Sequence, residues 1–334
     1  MKPLIKLLVR NKTFMIGFVF VAVLLILSIA NTIFNDGEVR TVPLYTDSSK
    51  GELEAPPYGP FTHWFIAGSD TGGRDILHMI IQGAKFTIGI AFIIAALRVV
   101  FSVIFGAILG VYCQKYLRWI EKAINPITVI PLTLVSFLVL FNVLVIGSFE
   151  VDFPFWKRAL FEVVFLAFYA VPTLAVYQAN EIKKLHREEF MEAAMVLGGG
   201  KLHKLKTHIL PHLKENILVI LMQQYVQVLI VLAHLGVLKL FFGGTILDSD
   251  QNAYSVSYEW SGLIGSYYDN LVAYPWLPLI PILFLSLAIL SAQMMLNGYK
   301  TVAEQRRLGI TVYKEQEKID EVVTNDKALM KQAE

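Results

Sequence analysis

The chain has 334 residues, of which 55% are hydrophobic and only 17% charged, with a net charge of +2. A soluble globular domain carries about 25% charged residues; here long apolar runs stand in their place, which excludes an ordinary soluble domain and predicts an integral membrane protein. The single cysteine, Cys113, excludes an intrachain disulfide and reads as a small buried hydrophobe.

Six runs approach the roughly 20 apolar residues that a spanning helix needs: 14–34, 86–112, 125–147, 159–179, 216–238 and 274–296. Lys2, Lys6, Arg10 and Lys12 precede the first. That run is longer than the apolar core of a secretory signal, so it is read as a retained span. Asn125 and Pro126 open the third run, Pro131 is expected to kink it, and Pro172 to kink the fourth. Trp64, Tyr116, Trp119, Trp156, Tyr274 and Trp276 fall near run ends, where aromatic rings anchor at the interface.

Lysine and arginine in short loops set the expected orientation. Segment 35–85 holds seven acids against Arg40, Lys50, Arg74 and Lys85, and segment 239–273 holds Asp248, Asp250, Glu259 and Asp269 against Lys239 alone. Loop 180–215 holds Lys183, Lys184, Arg187, Lys201, Lys204, Lys206 and Lys214. The expected fold class is therefore an all-α membrane protein of six transmembrane helices with both termini cytoplasmic. Residues 1–34 form the cytoplasmic N-terminus and first span, 35–85 an extracytoplasmic segment, 86–297 a five-span core with a cytoplasmic loop at 180–215, and 298–334 a cytoplasmic tail.

In the basic loop, Phe190, Ala193, Ala194 and Leu197 repeat at i, i+3, i+4 and i+7, the period of one helical face. Gly198, Gly199 and Gly200 end that helix, Leu202, Leu205 and Ile209 restart an apolar face, and Pro211 is expected to break it before the fifth span. The pattern alone fits either a protein-docking element or an amphipathic helix lying on lipid.

Catalytic motifs do not appear. Gly198-Gly199-Gly200-Lys201 is followed by Leu202, and Met195 stands where a phosphate loop needs its first glycine. No zinc-type His or Cys spacing occurs, and His203, His208 and His212 read as solvated or interfacial. No covalent chemistry, metal or bound cofactor is expected of this chain. Within the spans, Arg98 and Glu162 are notable, because intramembrane charge faces a cavity or a partner. Arg98 is a candidate contact for a carboxylate or backbone carbonyl of a solute, or for a partner subunit or headgroup. Gln223, Gln224 and Gln227 either line a polar pore or bond between helices.

The run Glu192-Ala193-Ala194, three residues, Gly198, nine residues, His208-Ile209-Leu210-Pro211 resembles the docking loop of ATP-binding cassette importer permeases, E-A-A…G…I-x-L-P, with histidine in place of isoleucine. Gly68-Ser69-Asp70-Thr71-Gly72-Gly73-Arg74-Asp75-Ile76-Leu77, followed by Gly83-Ala84-Lys85, resembles the G-T-D-x-x-G-R-D-V-L…G-A-R segment of the dipeptide, oligopeptide and nickel importers, in their second permease subunit. Tyr274-Pro275-Trp276 resembles an A-P-W run at the last span.

The resemblance implies a type I permease fold in a prokaryotic plasma membrane and uptake of peptides, nickel chelates or another small solute; the alternative of a different class is an ion-coupled secondary transporter, against which the scarcity of acidic residues within the spans counts. The implied partners are a homologous permease, two ATPase subunits that bind ATP and Mg, an extracytoplasmic binding protein and membrane lipid, and no nucleic acid. Glu192, Ala193, Ala194, Gly198, Leu210 and Pro211 are the implied ATPase-docking positions. Gly68, Asp70, Gly73, Arg74 and Asp75 are expected to form a structural network at the start of the second span. The chain departs from the family's arginine-bearing run at 174–179 and from its L-S-F-L-G-L-G at 233–239, which here reads Ala-His-Leu-Gly-Val-Leu-Lys.

Overall fold

The structure is a computed structural model, and it describes residues 2–47, 52–62, 65–146, 154–188, 191, 200–247 and 253–307. Helix α1 (Lys2–Arg10) stops where the Asn11 side chain accepts the Phe14 N–H and caps α2 (Lys12–Phe34). The Asp75 carboxylate caps α3 (Ile76–Ala84), which passes through a π-helical turn, Lys85–Ile90, into α4 (Ala91–Tyr112). Then follow α5 (Leu117–Val129), α6 (Leu132–Leu144) and α7 (Phe155–Leu185). Helix α8 (Lys201–Lys204) joins α9 (Leu210–Val237) through a second π-helical turn, Leu205–Ile209. Helices α10 (Trp260–Tyr267) and α11 (Trp276–Arg307) complete the order.

Among the described residues, five helical stretches are long and apolar enough to cross a membrane, and the pair α5 and α6 makes a sixth if counted as one bent span. Helices suit this role because hydrocarbon offers no partners to backbone amides. The run 125–147 is interrupted rather than merely kinked: α5 and α6 meet at a 74° bend around Ile130 and Pro131. Pro172 lies inside α7, which continues through it. Pro211 does not break the chain before the fifth span, because it sits at the N-terminal end of α9, where its missing N–H is not needed. The π-turn just before it makes the change of register, with the Leu210 N–H reaching the Leu205 carbonyl. Several spans are also longer than their apolar runs; α11 continues to Arg307.

Two small sheets lie at the end of the bundle that holds segments 35–75 and 239–275, here termed the loop-rich end. Strands β1 (Tyr45–Asp47) and β2 (Glu52–Glu54) form a hairpin. Strand β3 (Val145–Ile146) pairs in parallel with β4 (Thr245–Leu247), which pairs antiparallel with β5 (Ala253–Ser255). The sheet ties the end of α6 to the connection after α9. The opposite, basic end carries α1, α8 and the C-terminal turns of α4, α7 and α11.

The most extensive seam joins α4 to α7. Ser102, Gly106 and Gly110 repeat every fourth residue and bring the helix backbones together, as small residues do in membranes. A Cβ at Gly106 would lie 2.5 Å from the Gln178 Cβ, and one at Gly110 would lie 2.9 Å from the Ile182 Cβ. Gly106→Leu is therefore expected to pry the helices apart at a cost of about 1–3 kcal/mol. The check is the thermal unfolding midpoint in detergent, with Gly89→Leu as control, since nothing lies within 4 Å of a Cβ there.

Candidate functional site

Of the sequence-predicted docking positions, Glu192, Ala193, Ala194 and Gly198 lie outside the described residues, as do Phe190 and Leu197. Leu210 and Pro211 are described, and they belong to the first turn of α9. Just beneath that turn, Val111 of α4, Ile182 of α7, Met191, Ile209 and Leu213 form a separate apolar cluster. Ala107, Leu185, Leu205 and Ile217 pack against it. Both flanks of the basic loop are thereby locked to the ends of α4 and α7. Beside the cluster an open cavity of about 1040 Å³ lies between the ends of α7, α9 and α11, with Glu181, Glu188, His212, Asn216, Lys300 and Glu304 among its lining residues. Cys113, which ends α4, is half-buried. His203 and His208 approach ring to ring at 6.4 Å, and His212 Nδ1 lies 3.2 Å from the His208 carbonyl.

At the loop-rich end, Asp70 is fully buried and organises the 68–75 turn. Its Oδ1 accepts the N–H groups of Gly72 and Arg74 at 3.0 and 2.7 Å. Its Oδ2 accepts Arg74 Nε at 2.7 Å and the Tyr267 hydroxyl at 2.9 Å, and forms an ion pair with Arg74 Nη2. Burial disfavours the Arg74 charge, but Tyr267 and Asp70 outweigh it and hold the guanidinium above its ordinary pKa. Burial, reinforced by Asp70, holds the Tyr267 hydroxyl well above the usual phenol range. Asp75 accepts the N–H groups of Leu77 and His78 and starts α3. Gly73 has φ +77, and a Cβ there would lie 2.1 Å from the Val42 carbonyl oxygen; Gly68 has φ +80. The turn thus joins α3, α10 and the segment after α2.

Two further contacts complete this end. The Thr87 hydroxyl, presented by the first π-turn, accepts the Trp260 N–H, and Trp260 Nε1 donates to the Ile80 carbonyl at 2.8 Å. Gly83 permits the approach, since a Cβ would meet the Tyr258 carbonyl oxygen at 1.9 Å.

Arg98 is fully buried between three helices. Its Nε donates to the Leu166 carbonyl of α7 at 3.0 Å, and Nη1 donates to Gln224 Oε1 of α9 at 3.1 Å. Its Nη2 has no hydrogen-bond partner among the described residues. The three glutamines divide: Gln224 faces inward to Arg98, whereas Gln223 and Gln227 are exposed on the outside of α9.

A second polar cluster was not grouped from the sequence. Glu162 and Glu259 are buried and accept the consecutive N–H groups of Gly243 and Phe242 at 3.2 and 3.0 Å, while Arg158 Nε donates to the Gly243 carbonyl at 2.8 Å. Ser255 and Ser257 donate to Glu259. Burial pushes the Glu259 carboxyl above the ordinary carboxylate range, against the pull of these donors. Arg158 and Glu162 share one helical face at i, i+4, the only sequence signal for the cluster; Glu259 joins them only through tertiary folding.

A family model described as a binding-protein-dependent transport system inner membrane component matches residues 102–297. The chain is similar to the dipeptide transport system permease protein DppC of Alkalihalophilus pseudofirmus, with 26% identity over 304 residues, 90% of this chain and 88% of that one. It is 23% identical to the glutathione transport system permease protein GsiD of Shigella dysenteriae over 252 residues, 74% of this chain and 73% of that one. It is 26% identical to the peptide transport system permease protein SapC of Haemophilus influenzae over 248 residues, 73% of this chain and 75% of that one.

Asp70→Asn removes the charge from four donors' shared acceptor and is expected to cost about 2–3 kcal/mol, discounted because Arg74 is partly exposed. Asp75→Asn, an exchange between two good capping residues, should cost less than about 0.5 kcal/mol. Unfolding midpoints in detergent check the order; equal shifts would remove Asp70 from the centre of this network.

Proposed function

The chain belongs to the family of binding-protein-dependent transport system inner membrane components, and from this premise we propose that it is the permease subunit of an ATP-driven importer that takes up short peptides. The observation that carries the reading is the family match across 102–297, joined to similarity with a dipeptide permease along 90% of the chain. The protein is a multi-pass inner-membrane component, and its family supplies a pathway rather than a catalyst.

In this reading the basic end is cytoplasmic and the loop-rich end faces the binding protein. A homologous permease forms the other half of the pathway, and two ATPase subunits bind ATP and Mg. Glu192, Ala193, Ala194 and Gly198 form the docking surface, with Leu210 and Pro211 at the start of α9 behind it. The apolar cluster at the basic end supports such a role mechanically. A push on the loop reaches Ile209 and Leu213, and through them Val111 and Ile182, so α4, α7 and α9 shift as packed bodies. Arg98 then works as the polar tie among the same three helices, whereas Gln223 and Gln227 are placed to face a polar pathway or the partner permease.

Tagged chain extracted in mild detergent is expected to recover an ATPase identified by mass spectrometry. The double variant Glu192→Ala/Gly198→Asp should recover at least about tenfold less, equivalent to ~1.4 kcal/mol of docking energy. A stable native chain that recovers no ATPase would overturn the reading.

A further inference from the structure

Residues 125–131 are exposed without interruption, Val129 to 81%. A helix lying against a bundle buries one face; this stretch buries none. It contains the 74° bend between α5 and α6. The bend is not at a membrane surface. The Tyr169 hydroxyl donates to the Ile127 carbonyl at 3.5 Å, and Tyr169 is the fifteenth of the 31 residues of α7. At about 1.5 Å per residue α7 is long enough to cross the hydrocarbon, so its middle lies near the bilayer centre.

The bend ends one helix and starts another at that depth. The last carbonyls of α5 and the first N–H groups of α6 lose their helical partners; the Tyr169 hydroxyl takes up the Ile127 carbonyl, and the Thr128 hydroxyl donates to the Asn125 carbonyl at 2.7 Å. Irregular backbone at membrane depth persists where protein buries it or where it lines an aqueous cavity, not against lipid. The exposure of 125–131 removes burial within this chain. A polar stripe selects water over an apolar partner surface. Arg118, Glu121, Lys122, Asn125 and Thr128 repeat at i, i+3, i+4, i+7 and i+10 along one face of α5, from the basic end up to the bend. Arg118, Lys122, Asn125 and Thr128 are exposed, and Glu121 is partly so.

We propose that the bend and the polar face of α5 line the cytoplasmic half of the translocation pathway, and that the remaining carbonyls at the bend, with the Asn125 amide and the Thr128 hydroxyl oxygen as acceptor, hydrogen-bond the backbone of the cargo peptide. This rests on the peptide-permease reading and adds the site to it. Broken helices near the midplane form substrate sites in membrane transporters by the same logic. Backbone acceptors and an amide side chain match the N–H and C=O groups common to all peptides, so such a site holds cargo without demanding a particular side chain.

The test uses the assembled importer in inverted membrane vesicles, with Cys113→Ser as background. Thr128→Cys and Val129→Cys are expected to react with a charged methanethiosulfonate at rates close to that of Lys122→Cys. Val23→Cys, exposed midway along α2, should react about 100-fold more slowly, as the cost of carrying charge to the bilayer centre implies. Asn125→Leu/Thr128→Val is expected to lower uptake of peptides from a casein hydrolysate while ATPase recovery is unchanged. Failure of both mid-depth cysteines to react with the charged reagent, whether or not they react with N-ethylmaleimide, overturns the pathway assignment. Unchanged uptake in the double variant overturns the cargo contact. Absence of peptide uptake in the Cys113→Ser background, with the mid-depth cysteines still reactive, instead removes the peptide reading and leaves the aqueous lining standing.

Discussion

The close approach of α4 and α7 is the contact on which the rest of the molecule depends. Ser102, Gly106 and Gly110 leave no side-chain bulk between the helices, so the backbone of one lies against the other. Because the seam is fixed, Arg98 reaches the Leu166 carbonyl near mid-depth, and Val111 and Ile182 meet at the basic end. A wider seam would take the Leu166 carbonyl away from the buried guanidinium and leave it Gln224 of α9, and an under-satisfied buried charge is costly. The same seam makes α4 and α7 a closely packed pair.

The two ends of the bundle are held by different means. At the basic end, apolar side chains pack around the start of α9. At the loop-rich end, buried carboxylates do the organising: Asp70 gathers Gly72, Arg74 and Tyr267, and Glu162 and Glu259 take the adjacent amides of the 242–243 turn. Asp70 and Glu259 are tolerated in burial because each accepts several donors. Loops held in this way keep a defined surface, which suits a face that receives a partner. An apolar joint between helices suits an end that transmits movement, since packed side chains shift together and form no directional bonds that must break.

Much of this was legible in the chain because membranes impose simple rules. Span number and the basic loop followed from hydropathy and lysine placement, and the Gly68–Asp75 motif from its residues. The structure gives the glycines of that motif their reason: Gly68 and Gly73 hold positive φ, and Gly83 lets α3 touch the Tyr258 carbonyl. The departure at 233–239 also has a physical outcome. Lys239, where the resembled pattern ends in glycine, adopts φ +59, and its ammonium pairs with Asp269 at 2.9 Å.

By itself, the sequence determined that this is a polytopic helical membrane protein and which loop resembles a docking element, because hydrophobic length, charge placement and motif register are properties of the chain read locally. Only the tertiary structure decided that the third run is broken rather than merely kinked, that Pro172 lies within a continuous helix, and that a π-turn absorbs the change of register before Pro211. The same residue type had three outcomes, because proline removes one donor and leaves neighbouring helices to determine whether the freed groups are satisfied in place. Likewise Gln223, Gln224 and Gln227 look alike in sequence. They part company because Gln223 and Gln227 share the exposed face of α9, whereas Gln224 lies on the buried face, where it accepts from Arg98, 126 positions away. Contacts between residues so far apart have no local signature.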